Sequence, residues 1–119
     1  MHAKINIDYR LLIGDWARYG NTAGSARRPE EAAKLSAKHG FEILPLELTD
    51  PISIAACAER ALDATDGRLD ALFNNAAYGQ VGAVEDISAD ILRRQFEVNL
   101  FAAHDLTCRV LPAMRQRKT

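Results

Sequence analysis

From residue 26 to the C-terminus the apolar residues of this chain change period in a regular order, helical spacing alternating with short apolar runs. A helix buries residues three and four apart, whereas a strand inside a parallel sheet buries nearly every residue. Alternation of the two marks a layered α/β domain, in which strands separated by helices lie parallel and are covered on both faces. With 119 residues, 48% of them apolar, the chain has material for one small domain with a core and not for two.

The punctuation residues divide the pattern into units. Pro29 suits a first helical turn, Glu30 and Glu31 favour its positive end, and Gly40 offers a left-handed stop, which predicts a helix over 29–39. FEILPLEL, residues 41–48, is apolar and of strand length, and Thr49-Asp50-Pro51 then supplies a cap and a proline at the first position of a helix running to about residue 65. Asp66-Gly67 breaks that helix, and LDALFN, residues 69–74, reads as a buried parallel strand. AAYGQVG is a loop by its glycines. Ser88 can cap a long amphipathic helix over 88–116 with Ile91, Gln95, Val98, Ala102 and Leu106 near one face, and Pro112 costs its last turns a hydrogen bond or a kink. Right-handed crossovers make these units half of a doubly wound parallel sheet, a partial Rossmann-like α/β/α domain with its ligand crevice at the carboxyl ends of the strands. The first 23 residues are atypical: RLLIG suits either a strand or a helix continuing through DWARYG.

Fifteen basic residues against sixteen acidic ones leave no electrostatic footprint for nucleic acid or an anionic membrane. The closing RQRK reads as a solvated last turn. No apolar run reaches bilayer length and MHAKINIDYR lacks the apolar stretch of a secretory signal, so a cytoplasmic location is the default expectation. Cys57 and Cys108 fall in apolar helical patterns without CxxC spacing and are expected as buried or half-buried thiols. His2, His39 and His104 are read as structural or exposed, and no metal site is expected.

LELTDP, LDALFNNAAYG and FEVNLFAAHDLTCRVLPAMR, in this order and at these separations, resemble the short-chain dehydrogenase/reductase family, over about residues 24–116. Asn74, Asn75, Ala76 and Ala77 match the family's Asn-Asn-Ala-Gly signature, with alanine for the final glycine. Side chains there must be small where the cofactor's adenosine ribose passes, and an asparagine amide ties neighbouring strands together; read without the resemblance, the four residues are a turn. Glu47 takes the place of the family's aspartate that meets the adenine amino group, keeping the acceptor and adding a methylene, and Leu48 would lie beside the adenine. Asn99 aligns with the asparagine of the catalytic tetrad, which in the family holds a water joining the catalytic lysine to solvent. The bland alternative for Asn99 is an amide satisfied by a neighbouring carbonyl.

The stretch GNTAGSARRPEEAAKL admits two readings. A phosphate-wrapping glycine loop needs a leading apolar strand, and the preceding DWARY is not one. The interval from Gly20 to Asn74 also holds one strand too few for that register. If AGSARR instead ends the second strand, the spacing fits, and Ser25, Arg27 and Arg28 resemble the Ser/Thr-x-Arg segment that holds the 2′-phosphate of NADP in family members preferring that cofactor. Guanidinium groups beside a hydroxyl suit a phosphate, which an acidic residue would repel. The plain alternative is an exposed arginine pair before a helix.

This register places the first strand within residues 1–14, where HAKINID has no glycine for the family's Gly-x-x-x-Gly-x-Gly turn. The catalytic serine and Tyr-x-x-x-Lys pair of the family are also missing, for Ile13, Ala23 and Gly82 follow Tyr9, Tyr19 and Tyr78 by four. The resemblance therefore implies an NADP(H)-dependent oxidoreductase of alcohols and carbonyls, truncated at both ends and inactive by itself. The alternative is a non-catalytic module that binds a nucleotide or a second copy, since the family's counterpart of helix 88–116 packs against its mate in a second subunit. Tyr78, Gly79 and Gln80 are expected to border the crevice.

Overall fold

The computed structural model of the protein describes residues 4–6 and 22–116. Strands β1 (Lys4–Asn6), β2 (Thr22–Ala26), β3 (Ile43–Pro45) and β4 (Ala71–Phe73) form one parallel sheet in the order β3-β2-β1-β4. Lys4 pairs with Thr22 on one side and Ala71 on the other, and Gly24 pairs with Ile43. The chain steps outward from β1 through β2 to β3, then returns past both to β4, so the sheet has a topological switch point between β1 and β4.

Helix α1 (Pro29–His39) joins β2 to β3, and α2 (Pro51–Ala64) joins β3 to β4. These crossovers run in opposite directions, and right-handedness then requires their helices on opposite faces. Two cores follow. Ile43 packs with Ala26 and Ala32 under α1, and its neighbour Leu44 packs with Ile54, Cys57, Ala58 and Ala61 of α2. Successive residues of one strand thus feed opposite faces, as the pleat dictates. The second core also takes Ala102, Leu106 and Val110 from helix α4 (Ala102–Gln116). The result is the three-layer α/β/α arrangement of a partial Rossmann fold.

The helix signals act as their chemistry requires. Asp50 accepts a hydrogen bond from the Ile52 N–H at 2.9 Å with Pro51 opening α2, and Ser88 accepts from the Ile91 N–H at 3.3 Å. Gly40 ends α1 at φ 72°, a conformation that costs glycine nothing. Asp66 and Gly67, at φ 51° and 69°, turn the chain out of α2.

Four expectations are corrected. The strand within 41–48 is only Ile43–Pro45, because its partner β2 ends at Ala26; Pro45, without an N–H, suits the outer side of β3. LDALFN contributes only Ala71–Phe73, paired along the three residues of β1. The long helix is interrupted: α3 (Ala89–Phe96) passes through a π-type turn, Glu97–Phe101, in which the Ala102 N–H bonds to the Glu97 carbonyl, before α4 begins. Its expected end holds, since α4 continues to Gln116 with Pro112 inside it. Cys108 is exposed beside His104, with its Sγ 3.7 Å from Nε2, because it lies on the side of α4 away from Leu106 and Val110. The segments RLLIG and DWARYG, and the turn after the first strand, lie outside the described residues.

Candidate nucleotide-binding crevice

The carboxyl ends of β2, β3 and β4 open into one cavity of about 690 Å³. Parallel strands deliver residues from distant parts of the chain to this edge. Ser25, Arg27 and Arg28 arrive from β2, Glu47 and Leu48 from the segment after β3, and Ala76 and Ala77 from the loop after β4. Seven of the ten residues singled out in the sequence therefore share one crevice, together with Tyr78 and Gln80.

Ser25 forms an enclosed part of the wall, 2% exposed, while the arginine side chains stand at the rim. Arg27 Nε lies 4.0 Å from Glu47 Oε2, with the two side chains 70% and 40% exposed, and Arg28 Nε lies 3.7 Å from Glu31 Oε2. Ion pairs this open contribute less than about 1 kcal/mol, so either guanidinium is available to a more highly charged anion. Glu47 is anchored besides: its Oε1 accepts from the Thr49 N–H at 3.1 Å and from Thr49 Oγ1 at 2.9 Å.

None of the three asparagines lines the cavity, but Asn74 and Asn99 hold elements that do or that carry them. Asn74 Nδ2 donates to Thr107 Oγ1 at 3.0 Å, so this amide ties the end of β4 to α4 rather than to another strand. Asn99 bonds the backbone of Tyr78 at both ends: its Oδ1 accepts from the Tyr78 N–H at 3.1 Å and its Nδ2 donates to the Tyr78 carbonyl at 2.8 Å. Gln95 Nε2 donates to the same carbonyl at 3.3 Å. The π-type turn that carries Asn99 is thus fastened to the crevice loop. Asn75 is different. Its Nδ2 is buried and has no hydrogen-bond partner among the described residues.

Sequence reasoning missed the wall supplied by the helical run. Ile91, Arg94 and Val98 line the cavity, and Arg94 has no ion pair among the described residues. Ile91 and Val98 were legible as sharing one helical face, but nothing in the sequence linked that face to the crevice. An arginine in the middle of a polar helix surface carries no signal of its own.

The family model described as enoyl-(acyl carrier protein) reductase matches residues 19–119. A short-chain dehydrogenase from Streptomyces avermitilis superposes with a TM-score of 0.82 at 33% identity, over 98% of this chain and 45% of that one. The chain belongs to the short-chain dehydrogenase/reductase family. An uncharacterized oxidoreductase of Escherichia coli, YbbO, is 36% identical over 88 residues, which are 74% of this chain and 32% of the relative. A carbonyl reductase from chicken fatty liver, solved with NADPH bound, shares the fold at 24% identity and a TM-score of 0.79, over 95% of this chain and 48% of its own. The chain spans between about a fifth and a third of the length of the curated relatives it matches and about half that of the solved structures.

Proposed function

We propose that this chain supplies the adenosine-binding half of an NADP(H)-dependent oxidoreductase that interconverts alcohols and carbonyls. The observation that carries the reading is the convergence of Ser25, Arg27, Arg28, Glu47, Leu48, Ala76 and Ala77, from three strand ends, on a single crevice. Two features of the residues fit such a cofactor. The rim holds guanidinium groups whose carboxylate partners are loose, and charge-assisted bonds to a phosphate are stronger than neutral ones. Leu46 and Leu48 beside them add an apolar wall against which a purine ring can pack.

In this reading the bound nicotinamide supplies the hydride, and the residues here bind and orient. Arg27 and Arg28 hold the 2′-phosphate beside Ser25. Leu48 packs against the adenine, and the short side chains of Ala76 and Ala77 leave room for the ribose. Asn99, through Tyr78, keeps the loop after β4 in place, which makes it a positioning residue. The described part of the chain has no Tyr-x-x-x-Lys pair, and none of the three tyrosines has a lysine four residues later. Proton transfer to a substrate carbonyl therefore falls outside these 119 residues, and no turnover is expected from them alone.

A second reading, a module that associates with another copy of itself, is favoured by one observation: Leu92, Phe96, Leu100 and Phe101 of the helical run are each about half exposed. The two readings are compatible, since this row does not belong to the crevice lining.

The test is a titration of the purified chain with NADPH, followed by nicotinamide fluorescence. Saturable binding is expected, weakened roughly tenfold or more by Arg27→Ala through loss of a charge-assisted contact. Absence of binding at millimolar NADPH would remove the cofactor reading.

A further inference from the structure

By its position Glu47 is the residue expected to present a carboxylate to the adenine amino group. Its contacts turn it elsewhere. Both Thr49 donors bind Oε1, at 3.1 and 2.9 Å, and Oε2 faces Arg27 Nε at 4.0 Å. The backbone beneath is fixed as well, since the Glu47 N–H donates to Ser53 Oγ at 2.8 Å. The carboxylate is therefore held over its own loop and aimed at a guanidinium of the rim.

We propose that Glu47 is a specificity-determining residue of the crevice: as the counter-ion of Arg27 it weakens the hold on a 2′-phosphate and narrows the preference for phosphorylated over unphosphorylated adenine nucleotides. The inference rests on the reading of Arg27 as a phosphate ligand. A carboxylate and a phosphate monoester compete for one cation. Thr49 keeps the carboxylate from swinging clear when the phosphate arrives, so the two anions remain neighbours in the bound state. Near a protein surface, like charges about 6 Å apart repel enough to change a binding constant several-fold. Glu31, in the first turn of α1, faces Arg28 Nε at 3.7 Å. Glu47 joins the phosphate rim to the adenine wall through its contact with Arg27.

The experiment is calorimetric titration of the full 119-residue chain with adenosine 2′,5′-bisphosphate and, separately, with 5′-AMP. Glu47→Gln is expected to raise the ratio of bisphosphate to 5′-AMP affinity about threefold to tenfold over that of the wild-type chain. The gain should vanish in an Arg27→Ala background and shrink toward ~1 M salt, where the screening length is about 3 Å. Far-UV circular dichroism that superposes on the wild-type spectrum reports that the variant is folded. An equal or lower ratio in Glu47→Gln overturns the inference, as does a gain that persists without Arg27. If the wild-type chain binds the bisphosphate no better than 5′-AMP and Arg27→Ala changes nothing, the phosphate reading of Arg27 falls first, and the role of Glu47 with it.

Discussion

Cys57 lies in the larger of the two cores, among Ile54, Ala58 and Ala61, and burial pushes its thiol from 9.0 up to about 11, with the nearby Arg60 opposing this only in part. The folded thiol keeps its proton at pH values where the unfolded one has lost it. Its contribution to stability is thus complete below about pH 9 and is lost as pH rises toward 11. Over that window the wild-type chain should lose about 2–3 kcal/mol of unfolding free energy that Cys57→Ala does not lose, measured by urea denaturation at each pH. Equal pH dependence in the two proteins would contradict the assignment. At this scale the sequence was informative where chemistry and spacing coincide. Arg27 and Arg28 follow a strand end and precede a proline-opened helix, so both their position and their charge could be read. Asn99 was legible in identity but not in its bonds, because its partner Tyr78 is 21 residues away and is contacted through backbone atoms that any residue would offer. Arg94 was not legible at all, since a cation on a helix surface is ordinarily solvated.

Among the elements, helix limits were the most readable feature, because Pro29, Asp50, Pro51, Ser88 and Gly40 act locally. Strand limits were not, because the lengths of β3 and β4 depend on where their partners β2 and β1 pair with them. The π-type turn at Glu97–Phe101 left no trace in apolar spacing: one helical phase serves α3 and another serves α4, and the shift between them falls where Asn99 meets Tyr78. Such wide turns occur often at functional sites. The same helical run leaves Phe96 and Leu100, four residues apart, about half exposed. Association through this face is expected to be abolished by Phe96→Glu, which would desolvate a charge in the contact. Sedimentation velocity of both proteins across a concentration series checks this, and a wild-type chain that stays monomeric at high micromolar concentration would contradict it.

At the scale of the molecule, the fold class was the most legible property, because alternation of period is repeated across the chain and requires no single residue to be right. Right-handed connections then leave one place for a ligand, the carboxyl edge of the sheet. There, Ser25–Arg28, Glu47–Thr49 and Ala76–Tyr78 meet although 47 residues separate the first segment from the last. A crevice assembled from three strand ends makes a specific demand on any ligand it holds, for all three segments must respond together. Backbone amide shifts of the isotopically labelled chain, recorded by NMR through an NADPH titration, test this most directly. The expected result is saturable perturbation of those three segments with one common affinity, and perturbation of Arg94 and Val98 across the crevice. Shifts confined to a single segment, or centred on α1 and α2 away from the strand ends, would contradict a nucleotide site at this edge of the sheet.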